Sequence, residues 1–249
     1  MSRLPKHGLT HAILNTLGSE IVSGVYSAAH PFPIEAQQCT RFHASRSVMR
    51  EAIKMLTAKG LLASKPKYGT WVTPEDQWNL LDPDVLRWLL ERDLPIDILV
   101  EFTEIRMAIE PLAARLAIAR ATTAQKQALR DAVAAMEAAE KGLGDPLQTD
   151  IDLHIAVLNA SNNRFLIQHR DLVQTALTFS IRLANRMKSV PIADVAEHRK
   201  IVDGICNGDE ALACGAIQHL LDTAMEFILK AKEAGVPRDI RHNEPLNAA

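Results

Sequence analysis

The sequence predicts a mainly α protein built in two parts, and three observations carry that expectation. Aromatic residues are scarce at 4% while hydrophobic residues reach 47%, with alanine and leucine dominant, a composition that suits packed helices. Only one short region, residues 61–73, changes to brief β-prone runs separated by turn formers. Charge is unevenly spread: residues 1–74 hold nine Lys and Arg against three acids, a net of +6, although the whole chain carries −2. At 249 residues the chain is long enough for two modest domains. A small basic module joined to a larger acidic one points to a polyanion as the partner of the first, because clustered cations gain affinity by releasing counterions from a phosphate backbone.

The first helix is expected over residues 8–23, with Leu9, Ile13, Leu17, Ile21 and Val22 on one side and Gly24 to end it. After a Pro31-Phe32-Pro33 turn comes a short helix, 35–42, and then Ser45 stands as an N-cap for SRSVMREAIKML. In that segment Val48, Ala52, Met55 and Leu56 form an apolar stripe, while Ser47, Arg50 and Lys54 lie on the opposite face. Only His43 and Ala44 separate the two helices, as a helix-turn-helix requires. Past Gly60, residues 61–64 and 70–73 read as two strands joined by Lys65, Pro66, Lys67, Tyr68 and Gly69, which makes a basic hairpin, or wing. Arg46, Arg50, Lys54, Lys65 and Lys67 are thereby brought near one surface, suited to double-stranded DNA.

Residues 1–74 form the expected winged helix-turn-helix domain and 75–82 a linker. Asp82-Pro83 then opens an all-helical antiparallel bundle over 83–234. Its helices are expected at 83–92, 95–120, 123–141, 146–160, 163–187, 192–207 and 209–234, with a polar, loose tail at 235–249. No run of 18 uncharged apolar residues occurs, and MSRLPKHGLTHAIL lacks the apolar block of a signal peptide, so a cytoplasmic protein with no membrane partner is expected. Cys39, Cys206 and Cys214 are odd in number with no close pair, which suits small buried hydrophobes better than a disulfide or zinc framework.

In the helical part, Asp150 and His154 lie four apart, one turn along the same face, where a carboxylate and an imidazole can share one ion. His198 and His219 flank the turn expected at Gly208-Asp209, each about ten residues from it, roughly 15 Å along its helix, so a hairpin brings them to one height. Taken singly, each histidine suits a hydrogen-bonded core role as well as a ligand role.

The stretch SRSVMREAIKMLTAKGLLASKPKYGTWV resembles the winged helix of GntR-type bacterial transcription regulators. IRMAIEPLAARLA, DIDLHIAVLNAS and EHRKIVDGICNGDEALACGAIQHL resemble the all-helical ligand domain (FCD type) of that family's FadR-like branch. DQWNLLDPDVLRWLLERD, with Gln77, Trp78, Leu81 and Trp88, is similar to regulators of sugar-acid catabolism, galactonate-responsive ones especially. The resemblance spans about residues 8–232. It implies a homodimer that reads a palindromic operator, a repressor released by a sugar acid or related carboxylate. Arg46 and Arg50 would enter the major groove and the wing at Gly69 approach the minor groove, so Ser45, Arg46, Ser47, Arg50, Lys54, Lys67, Gly69 and Thr70 form the candidate DNA-binding set. Two positions depart from the family: Ala36 stands where many members carry arginine, and His43 where the turn has glycine.

The resemblance also implies a divalent metal (zinc, nickel or manganese) held by Asp150, His154, His198 and His219, with the effector carboxylate on the ion and on Arg106. The family's interval between the last two histidines is one residue longer than the 21 here, and a one-residue slip turns a helix by about 100°. Arg106 alternatively pairs with Glu110 on the next turn, and Arg182 and Arg186 are further effector candidates. The rival expectation is an all-helical metal-dependent enzyme acting on a small carboxylate, although no general base or nucleophile stands in a recognisable motif.

Overall fold

The structure, a computed structural model, describes residues 6–27, 29–93, 96–187 and 194–234; at 6–7, 92–93, 181–182 and 184–187 only the backbone is described. The tail at 235–249 and the side chains of Arg182 and Arg186 therefore lie outside the described residues. The chain forms two compact units, the first taking in the described residues up to Asp93 and the second those from Ile96 on.

The first unit contains α1 (Lys6–Val22), α2 (Glu35–Arg41), α3 (Arg46–Ala58), the hairpin β1 (Leu62–Lys65) and β2 (Gly69–Val72), and α4 (Pro83–Asp93). Serine 45 caps α3 as expected, its Oγ accepting the Val48 N–H at 3.4 Å. The buried stripe of α3 is Val48, Met49, Ala52 and Leu56, with Met55 only half-buried, so the helix is turned slightly from the expected face. Gly60 ends it with φ +80°, and the Leu61 N–H reaches back to the Leu56 carbonyl at 3.0 Å. A side chain could not replace that hydrogen, since a Cβ would stand 2.3 Å from the Gln77 carbonyl oxygen. The wing pairs antiparallel with Leu62 opposite Val72 and Lys65 opposite Gly69.

Two features differ from expectation. Residues 75–82 are pinned to the unit: Trp78 Nε1 donates to the Thr73 carbonyl, the Asn79 N–H to that of Lys59, and Lys59 Nζ pairs with Asp82 at 2.7 Å and Asp84 at 2.9 Å. α4 then packs on α1 and completes this unit, so the boundary falls after α4 and not before it. The physical reason is Trp88, 1% exposed, whose ring closes on α1 where Gly18 leaves room for it.

The second unit is all helical among its described residues: α5 (Ile96–Arg120), α6 (Thr123–Glu140), α7 (Pro146–Ala160), α8 (Arg164–Gln168), α9 (Arg170–Met187), α10 (Val195–Asn207) and α11 (Glu210–Glu233). α5 packs against α7 and α11, α6 against α7 and α10, α10 against α11, and α9 against α7. The single helix expected over 163–187 is two, because the chain breaks at His169. α10 and α11 form a tight hairpin at Gly208, and Gly204 admits α11 so closely that a Cβ there would stand 2.6 Å from the Ala213 nitrogen. By length and hydropathy α11 alone among the described helices is apolar enough to cross a membrane, yet it carries Asp222 and Glu226 and packs on α5 and α10 as a bundle helix does. Cys39, Cys206 and Cys214 are free and half-buried, more accessible than expected.

Candidate DNA-binding face and metal centre

In the first unit, α3 turns its polar face outward. Ser45, Arg46, Ser47, Arg50 and Lys54 are exposed, as are Lys67 and Gly69 at the wing tip, while Thr70 is half-buried. Ser45 is committed to the helix cap, so its hydroxyl serves α3 before any ligand. His43 takes φ +49°, the left-handed conformation that glycine would supply, and the turn closes through the Ala44 N–H to the Cys39 carbonyl at 3.0 Å. The histidine thus preserves the turn geometry at some local strain. Lys67 and Gly69, with φ +68° and +86°, shape the tip of the wing, and Lys65 Nζ lies 5.0 Å over the Tyr68 ring.

The cations of this face are not equivalent. Arg50 Nε donates to both carboxylate oxygens of Glu35, at 3.1 and 2.9 Å. Among the described residues no carboxylate pairs with Arg46, Lys54 or Lys67. The sequence reading missed this contact, since fifteen residues and a turn separate Glu35 from Arg50 and no helical spacing connects them. Arg41, the last residue of α2, is tied instead to α1: its guanidinium pairs with Glu20, which also accepts from Tyr26 at 2.6 Å. Burial raises the Glu20 carboxyl pKa, but Arg41 and Tyr26 outweigh it and hold the group below its usual value.

In the second unit, three of the four expected ligands converge. Asp150 and His154 come from α7 and His198 from α10; all three are buried, and their donor atoms lie within 4.8 Å of one another. Asp150 Oδ1 is 2.9 Å from His198 Nε2 and 3.7 Å from His154 Nε2, and the imidazoles stand nearly perpendicular, 5.4 Å between centroids. The outer nitrogens are engaged: His198 Nδ1 with the Asp194 carbonyl at 2.7 Å, and His154 Nδ1 with Glu110 Oε2 at 2.9 Å. His198 is thus held from behind by a hydrogen bond, the arrangement in which a backing acceptor fixes the tautomer of a metal-binding histidine, while at His154 the Glu110 carboxylate stands behind the ring as a close charged neighbour, its Oε2 not aligned for a hydrogen bond.

These residues fit a divalent ion. Asp150 Oδ1 and His198 Nε2 are buried and 2.9 Å apart, yet neither has a hydrogen-bond partner, and two such orphaned buried atoms beside His154 suit a shared ion. Two imidazole nitrogens and one carboxylate are the donor set of an open zinc-type site, with positions left for water or ligand oxygens. Burial disfavours charge on Asp150, but His198 and His154 beside it prevail and keep the carboxyl pKa below its usual value.

His219 does not join the set. It is exposed, in a shallow groove with Glu197 and Lys200 of α10, at the expected height but on the outer side of α11. Ile217 and Leu221 are the buried residues here; His219 lies two positions from each, about 200° around the helix.

Arg106 and Glu110, from α5, complete the neighbourhood, 4% and 2% exposed. Arg106 Nε donates to Glu110 Oε1 at 2.5 Å, so the expected ion pair is present. Burial pushes the Glu110 carboxyl up, and the charges of Arg106 and His154 overcome it, holding the pKa at about 2. Glu110 thereby stands as a carboxylate between Arg106 and His154. The sequence pointed to it only as a partner of Arg106.

Comparison with known proteins agrees with this division. Residues 9–72 match the model of bacterial regulatory proteins of the gntR family, and residues 101–223 that of the FCD domain. The chain is 38% identical over 159 residues to the galactonate operon transcriptional repressor of Escherichia coli K12, covering 64% of this chain and 69% of that protein. It is 30% identical over 216 residues to an uncharacterized HTH-type transcriptional regulator of the same organism, covering 86% and 92% of the two. Among solved structures, Lar, which controls expression of the Listeria monocytogenes agr system, is similar with a TM-score of 0.56 at 18% identity, covering 92% of this chain and 98% of that one.

Proposed function

The chain belongs to the gntR family of bacterial regulatory proteins, with an FCD domain as its second unit, and from that premise we propose that it is a cytoplasmic, homodimeric repressor of genes for sugar-acid catabolism. It is a DNA-binding transcription regulator. In this reading Arg46, Ser47, Arg50 and Lys54 of α3 meet base edges and phosphates of a palindromic operator, with Lys67, Gly69 and Thr70 of the wing beside them. An arginine that meets guanine O6 and N7 with two hydrogen bonds discriminates by roughly 1–3 kcal/mol.

The effector reading rests on one observation: donor atoms of Asp150, His154 and His198 lie buried within 4.8 Å of one another, with Asp150 Oδ1 and His198 Nε2 lacking hydrogen-bond partners of their own. A divalent ion held by these three residues supplies a Lewis acid for the carboxylate and hydroxyl oxygens of a hydroxy acid. The chain's own residues do the rest. Glu110 stands 2.9 Å from His154 Nδ1 and accepts from Arg106 Nε, which keeps a guanidinium able to pair with an acid group beside the site. The relative named for a galactonate operon supports a sugar acid as the class.

Ligand binding alters DNA affinity only through differential affinity for the DNA-competent and DNA-incompetent states. The test is to select duplexes from a randomised library and measure their release by galactonate and related acids, with and without chelator. Release by an acid that chelator abolishes is the expected result. Release indifferent to every acid would remove the effector reading and leave the DNA-binding one in place. No enrichment of any sequence at low salt would remove both.

A further inference from the structure

Arg46 and Arg50 lie one turn apart on the exposed face of α3, yet only one is anchored. Arg50 Nε is held by both carboxylate oxygens of Glu35, the first residue of α2, and the side chain still remains 65% exposed. The contact does little for folding, because a solvent-exposed ion pair contributes little to stability. It does constrain the guanidinium. With Nε occupied on the inner side, the two Nη groups form the outward edge, a planar fork of donors with no other partner among the described residues.

We propose that Glu35 is a positioning residue for base recognition: it holds Arg50 so that the Nη edge meets guanine in the major groove, and its negative charge turns that arginine away from phosphate. The inference rests on the DNA-binding reading of this face. Two physical consequences make it specific. A guanidinium already fixed at Nε loses less rotational freedom on docking, so its two hydrogen bonds to O6 and N7 come at lower entropic cost. A carboxylate about 3 Å from Nε repels an approaching phosphate, so Arg50 contributes to discrimination more than to general affinity, the opposite of a bare lysine. Arg46 has no such brace and keeps both options.

The experiment compares Glu35→Gln with the unaltered full-length protein on duplexes selected from a randomised library, on the same duplexes with single guanines replaced, and on scrambled duplex, across a salt series. The amide keeps the volume but loses the charge. Expected is a fall of about 2- to 12-fold in the ratio of selected to scrambled affinity, the factor for immobilising one long side chain. Scrambled-duplex binding should hold or tighten, and its salt slope should steepen by up to about one counterion, because Arg50 becomes free for phosphate. The loss should fall on one guanine position, and it should vanish in an Arg50→Ala background. Equal loss on all duplexes, or the same loss with Arg50 absent, would overturn the proposal. Glu35→Asp, which keeps the charge on a shorter stem, should retain the salt slope of the unaltered protein; if it behaves as Gln does, the brace is not electrostatic and the proposal fails. No selection by the unaltered protein would instead indict the DNA-binding reading.

Discussion

His154 has its two ring nitrogens in different company, and that asymmetry defines the candidate metal centre. Nδ1 faces Glu110 at 2.9 Å, while Nε2 faces Asp150 Oδ1 at 3.7 Å, too long for a hydrogen bond and suited to a shared ion. Glu110 would therefore act on a bound ion through the ring beside it. Replacing it with Gln keeps the shape but weakens the acceptor, and the expected result is a loss of about 10- to 100-fold in zinc affinity, measured by competition with a chromogenic chelator. His219→Ala serves as the contrasting variant: an exposed residue on the outer side of α11 should leave zinc affinity unchanged. Equal loss in both variants would mean that the ion is not held where Asp150, His154 and His198 converge. The legibility of this site follows the same lines. Asp150 and His154 were readable because a one-turn spacing fixes two side chains on one face. Glu110 as a backing acceptor was not, since it comes from another helix 44 residues away from His154.

At the level of elements, the helix starts and stops were the most readable features. Ser45, Thr122, Asp145 and Asp209 each accept backbone N–H groups at the start of a helix, and local sequence alone specifies such caps. What local sequence does not specify is which unit a helix joins. The stretch opening at Pro83 looked like the start of the bundle, but α4 packs on α1 because Trp88 fits over Gly18. The same limit explains α8 and α9: the apolar periodicity continues through His169, and the break there shows only in the backbone. The α4 assignment is testable. In Gly18→Ala a methyl would stand 2.5 Å from the buried Trp88 ring, and overpacking of this kind costs about 1–3 kcal/mol. Denaturant unfolding should show that loss in the first unit. Unchanged stability would mean that α4 does not rest on α1.

At the scale of the whole molecule, the two units are expected to respond to different solution variables, because the first couples a proton to folding and the second, on the proposed reading, a metal ion. The first contains the Glu20–Arg41–Tyr26 cluster that joins α1 to α2. The Glu20 carboxyl has an ordinary value of 4.5 and a lower one in the folded state, so the unfolded chain takes up its proton first as pH falls. Its stabilising contribution is complete above the unfolded value and disappears as pH drops through the folded one. Glu20→Gln lacks that contribution at every pH, so the gap between the two proteins should be widest near neutrality and close in acid. On the proposed metal reading, the second unit would gain stability from an ion that binds only its folded form, about 2.7 kcal/mol when free metal is 100 times its dissociation constant. Calorimetry of the full chain should accordingly resolve two transitions: zinc and chelator move one, and Glu20→Gln moves the other. If either perturbation displaces both transitions by equal amounts, the units unfold as one cooperative body; DNA affinity and effector binding would then be linked through folding itself, not through two arrangements of intact units.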